Sequence, residues 1–113
     1  MSGDVVRVWN GYGSTDGVQR YCDQHFNRVV LPQLRRLHGF LGATLLVRTR
    51  ERGAQVVVMT RWASIDAIHQ FAGTDYEQAV VEPAVRELLD DFDERVEHFS
   101  VALETDADGG RDR

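Results

Sequence analysis

Two long β-branched segments separated by a short polar link constrain the fold more than any other feature of the sequence. The first segment is FLGATLLVRT (40–49) and the second is AQVVVMTRW (54–62). Both are rich in the residue types that strands favour. The link RERG contains Gly53, which is free to adopt the positive φ of a tight turn. The pattern predicts an antiparallel hairpin.

A strand and a long helix are predicted before this hairpin. The segment VVRVWNGY (5–12) is typical of a strand, and the turn GSTDG that follows favours a helix capped at Ser14 or Thr15. Proline has no amide hydrogen to donate inside a helix. We therefore expect Pro32 to break this helix near Leu31.

A second helix is predicted directly after the hairpin. Ser64 is a suitable N-cap, the pattern IDAIHQFA has helical periodicity, and Gly73 is a typical helix end. Thr74 and Glu77 then form a T-x-x-E capping box, which predicts one further helical turn.

A last helix and a last strand complete the order of elements. Pro83 is well placed to begin a helix over 83–92, and RVEHFSVAL (95–103) is typical of a strand. The order β-α-β-β-α-β indicates an α+β, ferredoxin-like fold. This fold is a four-stranded antiparallel sheet with helices on one face.

The size of the chain fits a single domain. A chain of 113 residues with 42% apolar residues supplies one modest core, which we assign to residues 1–103. The polar segment 104–113 is predicted to be disordered. No apolar run approaches the roughly 18 residues of a membrane span, and the N-terminus has no signal-peptide pattern. With a single cysteine, Cys22, which cannot form an internal disulfide, the sequence predicts a cytoplasmic protein without a membrane partner.

The overall charge argues against nucleic acid as a partner. The formal net charge is −5 and the isoelectric point is near 5.2. Binding to phosphates is dominated by clustered lysines and arginines, and no basic face is evident in this sequence. We therefore predict no nucleic-acid partner.

The predicted strands carry apolar residues on both faces. Val56 and Val58 point to one side of the sheet, whereas Val57 and Met59 point to the other. Because the helices cover only one face, the second face would be left bare. A bare apolar face is usually an interface, so we expect a homodimer in which two sheets pack face to face. A wet and only mildly apolar second face is the alternative.

The histidines supply candidate catalytic bases. None of the four has the spacing of a metal-binding motif, so no metal site is predicted. His25 lies on the apolar stripe of the first helix and His69 on that of the second. A neutral imidazole that faces a cavity is a suitable proton acceptor, so either is a candidate base. The alternative for both His25 and His69 is a structural histidine in the core or at the edge of a helix.

The aromatic residues supply candidate pocket walls, namely Trp9, Trp62, Phe71 and Tyr76. Two tryptophans in so small a domain favour a pocket with a polar wall, where Asn10 would donate a hydrogen bond. Neighbours on a strand point to opposite faces, so only one of Trp9 and Asn10 can face the helices. The alternative is that these aromatic residues only fill the core.

Four segments of the chain resemble antibiotic biosynthesis monooxygenase-type domains. They are VVRVW (5–9), HGFLGATLL (38–46), VVMTRWASIDAIHQFAG (57–73) and RVEHFSV (95–101). The resemblance implies a dimeric α/β barrel. It also implies one of several functions: cofactor-independent oxygenation of anthrones and quinols, haem degradation, or no assigned activity.

Only some of the cavity residues that the resemblance implies are present in this sequence. Trp62 matches a tryptophan that lines the cavity of the anthrone-type oxygenases. Their asparagine four residues earlier is Val58 here, and their tyrosine six residues later is Ile68. In the haem-degrading branch the histidine that ligates haem falls at Val80 or Val81.

The resemblance and the residues together predict a cofactor-independent monooxygenase that acts on an aromatic or polyketide-like metabolite in a hydrophobic cavity. The predicted catalytic residues are His25, His69 and Asn10, and no cofactor is expected. A dimeric, non-catalytic binding module for a hydrophobic metabolite or partner enzyme is the main alternative. Haem binding, with His25 or His69 as a substitute ligand, is a further one.

Overall fold

The structure is a computed structural model that describes residues 4–108, and its centre is an antiparallel sheet with helices on one face. The α+β, ferredoxin-like fold predicted from the sequence is confirmed. In chain order the elements are β1 (Val5–Gly13), α1 (Thr15–Arg20), a π-helical segment (Tyr21–Val30), α2 (Leu31–Leu34), β2 (Phe40–Thr49), β3 (Ala54–Trp62), α3 (Ile65–Ala72), α4 (Pro83–Leu88), β4 (Asp91–Phe92) and β5 (Glu97–Ser100).

The predicted hairpin is formed by β2 and β3, which pair in antiparallel register from Phe40 opposite Trp62 to Thr49 opposite Ala54. Gly53 closes the turn with a φ of +86°. A Cβ atom at Gly53 would lie 2.2 Å from the carbonyl oxygen of Gly13. Both the conformation and the close approach therefore require glycine at this position.

The first helix does not break near Leu31, so that expectation is wrong. Ser14 caps the helix as predicted, since its Oγ accepts a hydrogen bond from the Gly17 amide at 2.9 Å. The chain then widens into ten π-helical residues, and the amide of Leu31 donates to the carbonyl of Phe26. Pro32 consequently lies in the first turn of α2, where a missing amide hydrogen is tolerated.

The helix α3 has the predicted bounds, and the segment after it forms a single hydrogen-bonded turn and no helix. Ser64 caps α3, and Gly73 ends it with a φ of +79°. In this turn the amide of Gln78 donates to the carbonyl of Asp75 at 3.1 Å, and the backbone pairs with a later segment instead of continuing as a helix. The Glu77 carbonyl accepts a hydrogen bond from the amide of Val96 at 2.7 Å.

The fourth position of the sheet is shared by two short strands. β1 pairs with β3 along one edge and with both β4 and β5 along the other, so the four-position sheet has the order β2-β3-β1-(β4, β5). The helix predicted over 83–92 ends at Leu88, and the strand predicted over 95–103 covers only Glu97–Ser100. The interruption arises because residues 94–96 leave β1 to pair with 77–79.

The core lies between the sheet and the helices. The largest fully buried side chains there are those of Trp62, Leu34, Ile68, Val18 and Val56. The other face of the sheet is left without a helix in the described part of the chain, and Leu46 and Phe99 on it are 48% and 54% exposed. None of the helices within residues 4–108 is long and apolar enough to cross a bilayer.

The polar tail lies only partly within the structure. Residues 104–108 are exposed and carry neither helix nor strand. The rest of the segment predicted to be disordered, 109–113, lies outside the described residues.

Candidate functional site

A partly enclosed cavity lies between the sheet and the π-helical segment. Its water-accessible volume is about 80 Å³, which is room for several water molecules. Aromatic and aliphatic side chains form most of its wall, among them Trp9, Tyr21, Phe26, Val58, Phe71 and Val96. The polar side chains that reach it are Arg7, His25, Gln33, Thr60 and Glu82.

His25 is a buried histidine held by a carboxylate at the cavity wall. It is only 6% exposed, and its Nε2 atom lies 3.2 Å from Oε1 of Glu82. The carboxylate fixes the orientation of the ring and stabilises the imidazolium if the ring takes up a proton. This pair can therefore accept a proton from a molecule in the cavity.

Tyr21 adds a hydroxyl beside this histidine. Its ring centroid lies 5.6 Å from that of His25 and 5.7 Å from that of Trp9. Burial raises the pKa of Tyr21 well above its ordinary value, with further contributions from Cys22 and Glu82. The hydroxyl is therefore protonated at neutral pH and is able to donate a hydrogen bond.

The π-helical segment carries both of these side chains on one wall of the cavity. Tyr21 and His25 are four residues apart, which is close to one turn of a π-helix, and both are buried together with Phe26. Such widened turns are often found at functional sites. The local geometry thus turns a polar pair and an aromatic ring toward the same space.

Arg7 is a buried cation on the opposite side of the cavity. It is 4% exposed and lies on β1 two residues before Trp9, on the same face of the strand. Its guanidinium donates to the backbone carbonyls of Tyr76 and Gln78 and contacts Nε2 of His98 at 3.2 Å. Desolvation lowers the pKa of Arg7 to about 10, so the side chain remains charged at neutral pH.

The predicted pocket walls divide into two groups. Trp9 and Phe71 line the cavity, whereas Trp62 and Tyr76 do not. Trp62 is fully buried behind the wall, where its indole nitrogen donates to Oγ1 of the cavity residue Thr60 at 2.9 Å. Tyr76 packs edge-on against His69, with ring centroids 5.1 Å apart.

The structure places Asn10 away from the cavity, because it is Trp9 that faces the helices. Neighbours on β1 alternate in burial, and the Asn10 amide lies on the bare face of the sheet. There it donates to Asp93 at 2.9 Å and accepts from Gln55 at 3.0 Å. Its hydrogen-bonding capacity is used on that face.

The two candidate bases also occupy different places. His25 lines the cavity, whereas His69 lies at the end of α3, with its Nδ1 2.8 Å from the Gly73 carbonyl oxygen. His69 thus closes the end of its helix and is not part of the cavity wall. No group of three or more metal-ligating side chains occurs within residues 4–108.

Sequence reasoning missed five polar groups of the cavity, namely Arg7, Tyr21, Gln33, Thr60 and Glu82. The signal for Arg7 was present, since the alternation of VVRVW puts it on the same face as Trp9. Tyr21 and His25 share one stripe of a helix, which was also visible. Glu82 had no signal, because it precedes Pro83 in an irregular segment whose path depends on distant backbone pairing.

Comparisons with known proteins extend these observations. No protein-family model matches the chain, and no curated protein sequence does either. Solved structures do match. A monooxygenase from Streptomyces coelicolor, ActVA-Orf6, in complex with nanaomycin D has a TM-score of 0.59 and 20% identity, over 94% of this chain and 91% of that one.

Two further structures cover similar shares of the chain. SnoaB, a cofactor-independent oxygenase from Streptomyces nogalater, has a TM-score of 0.53 and 20% identity, over 92% of this chain and 96% of its own. The haem degrader MhuD from Mycobacterium tuberculosis, with two haems bound, has a TM-score of 0.58 and 20% identity, over 90% and 99%. The chain thus has the fold of antibiotic biosynthesis monooxygenase-type proteins, and the resemblance inferred from the sequence is confirmed at the level of the fold.

Proposed function

We propose that this protein is a cofactor-independent monooxygenase acting on an aromatic or polyketide-like substrate that carries an acidic C–H or O–H group. The observation that carries the proposal is His25, a buried base oriented by Glu82 inside an aromatic cavity. The likeness in fold to SnoaB and ActVA-Orf6 supports the same reaction class. Fold alone does not establish function, and the cavity residues supply the chemical basis for the reaction.

The first step is removal of a proton from the substrate. When the Nε2–H group of His25 donates a hydrogen bond to Glu82, the lone pair of the neutral ring is on Nδ1. Nδ1 then takes up the substrate proton. The resulting imidazolium is stabilised by the Glu82 carboxylate. The substrate becomes an electron-rich phenolate or carbanion.

The second requirement is stabilisation of that anion. The Tyr21 hydroxyl, which is protonated at neutral pH and whose pKa burial raises further, is a donor of the right kind. The indole nitrogen of Trp9 is not available, because it donates to the Asp93 carbonyl at 2.8 Å. Trp9 therefore contributes its ring surface to the cavity.

The oxidation draws its electrons from the substrate itself. For an anthrone-type CH₂ group, dioxygen adds to the deprotonated carbon, one oxygen atom becomes the new carbonyl oxygen, and the other leaves as water with the two hydrogens of that carbon. Substrate and dioxygen therefore balance the reaction. The protein supplies the base, the donor and the apolar surroundings.

The experiment is turnover under ¹⁸O₂ with anthrone and quinol probes, followed by mass spectrometry. One labelled oxygen in the product supports the proposal, and absence of turnover with every anthrone, quinol and related phenol contradicts it. His25→Gln should lower kcat by about 10²- to 10⁴-fold while ligand binding remains. His69→Gln is the matched control outside the cavity and should keep its activity. Ligand binding without turnover would instead favour the binding module.

We also propose that a second copy of the chain covers the bare face of the sheet. A row of hydrogen-bonded side chains crosses this face from Arg48 through Gln55 and Asn10 to Asp93, so it is positive at one end and negative at the other. A twofold axis along the strands would set Arg48 opposite the partner's Asp93. This row is therefore complementary to itself, as an isologous interface requires.

A further inference from the structure

The charge of Arg7 has no opposite charge paired with it among the described residues. Within residues 4–108 no carboxylate oxygen lies within ion-pair distance of its guanidinium. Its acceptors are the carbonyl oxygens of Tyr76 and Gln78 and the ring nitrogen of His98, and the guanidinium lies 5.6 Å from the centroid of the Phe71 ring. All of these groups are neutral when they accept a hydrogen bond. A buried charge is normally paired with an opposite one.

The guanidinium also has donors to spare. It carries five N–H groups, of which Nη1 uses two and Nη2 uses one on the three acceptors. The Nε–H and one Nη2–H are left without an acceptor among the described residues. These two nitrogens lie on the same edge of the guanidinium. Such an edge can donate two parallel hydrogen bonds to one carboxylate.

The free edge belongs to a side chain of the cavity. Arg7 lines the same space as Trp9, Phe71 and His25, and it is only 4% exposed. An anion that reaches it is therefore removed from most solvent screening, which strengthens the attraction. The aromatic walls accept a ring beside the charged group.

We propose that the ligand of this cavity is an aromatic carboxylate whose negative charge is held by Arg7. This inference deepens the proposed function and rests on it for the reaction, but not for the binding. The carboxylate at Arg7 orients the ring, so that its acidic hydrogen is presented to His25. Arg7 is therefore a substrate-binding residue that also ties the segment containing Tyr76 and Gln78 to the cavity wall.

The test is calorimetric titration with two probes of equal shape, 1-hydroxy-2-naphthoate and 1-hydroxy-2-naphthamide. The carboxylate should bind the native protein about tenfold more tightly or better, as expected for charge-assisted paired hydrogen bonds. Arg7→Gln should abolish this preference, because it should weaken the binding of the carboxylate probe and leave the binding of the amide probe unchanged. Arg61→Gln is the matched control, because Arg61 lies on the bare face and pairs with Asp4 at 3.5 Å.

Three results would overturn the inference: equal affinities for the two probes, binding of neither probe, or an unchanged preference in Arg7→Gln. If Arg7→Gln does not fold, Arg7→Lys takes its place. Lysine keeps the charge but lacks the paired donors, so its preference should be reduced at least about threefold. An unchanged preference in Arg7→Lys would overturn the inference in that case.

The two proposals fail separately. A strong carboxylate preference without oxygen incorporation contradicts the monooxygenase but keeps the role of Arg7. Oxygen incorporation into neutral substrates, with no preference for acids, contradicts the role of Arg7 and keeps the monooxygenase.

Discussion

The Nη1 atom of Arg7 lies 3.2 Å from Nε2 of His98, so two side chains that both carry positive charge when protonated are in direct contact. The contact is a hydrogen bond only while the His98 ring is neutral and accepts. Burial lowers the pKa of His98, the charge of Arg7 lowers it further, and the nearby Glu77 carboxylate opposes them. Protonation of His98 therefore works against the fold around Arg7.

The stability of the protein should fall in mild acid because of His98. Its pKa in the folded state lies below the value of 6.5 that applies to the unfolded chain. The unfolded state consequently binds more protons as the pH drops through this range, and the free energy of unfolding decreases. The stabilisation is complete above about pH 6.5 and is lost as the pH falls through the lowered pKa.

Urea unfolding at pH 7.5 and at pH 5.5 measures this effect. His98→Gln should show a smaller difference between the two pH values than the native protein. His38→Gln, a substitution of an exposed histidine in the turn before β2, is the control and should retain the native difference. Equal pH dependence in the native protein and in His98→Gln would contradict the assignment.

Glu82→Gln should lower turnover without removing it. The glutamine keeps a hydrogen bond to His25 but no longer stabilises the imidazolium with a negative charge. A hydrogen bond to a charged group contributes about 1.5–3 kcal/mol, which corresponds to about 10- to 100-fold in kcat. Steady-state kinetics should show this loss in kcat with little change in KM. A variant as active as the native protein would show that Glu82 does not assist the base.

Two glycines with positive φ should differ in the cost of substitution by alanine. At Gly53 a Cβ would lie 2.2 Å from the Gly13 carbonyl oxygen, whereas at Gly73 no atom lies within 4 Å of a Cβ in the described structure. Gly73→Ala should therefore cost only the backbone strain of its φ of +79°, about 1–3 kcal/mol. Gly53→Ala adds displacement of a backbone carbonyl and should cost more. Chemical unfolding of both variants measures the difference, and equal costs would show that the turn relaxes without penalty.

The sequence predicted the parts of the fold that depend on local pattern. The alternation of β2 and β3, the N-caps at Ser14 and Ser64 and the helix end at Gly73 were all readable, because each is determined by residues within a few positions. The division of the last strand was not readable. It depends on pairing between 77–79 and 94–96, which competes with pairing to β1 and has no signature in either segment.

The residues that line the cavity were also only partly predictable from local sequence pattern. The period of two on β1 was sufficient to place Trp9 and Arg7 on one face. The predicted site nevertheless contained only aromatic residues, histidines and an asparagine, and it omitted Arg7. Trp62 shares its strand face with Val58 and Thr60, which line the cavity, yet it lies behind them because the strand ends there. Only the packing of the helices decides which residues on one face meet open space.

A change of charge on the bare face of the sheet should separate the proposed dimer. Leu46 and Phe99 are 48% and 54% exposed, and a lysine at either position would be buried without a partner between two sheets. Leu46→Lys and Phe99→Lys should therefore be monomers by light scattering, at 12.8 kDa, whereas the native protein should have twice that mass. Val29→Lys, a substitution of a 40% exposed residue in the π-helical segment, is the control and should remain a dimer.

Reversal of the charges in the row of side chains tests the proposed twofold axis itself. Arg48→Asp sets two acidic residues against each other at both ends of the row, and Asp93→Arg sets two basic ones. Each single variant should dimerise about tenfold more weakly or worse, as expected for losing a paired charge. The double variant restores opposite charges across the axis, so it should dimerise more tightly than either single variant. If the double variant dimerises as weakly as the sum of the two single effects predicts, Arg48 and the partner's Asp93 do not meet. If the native protein is a monomer, no second copy covers the bare face.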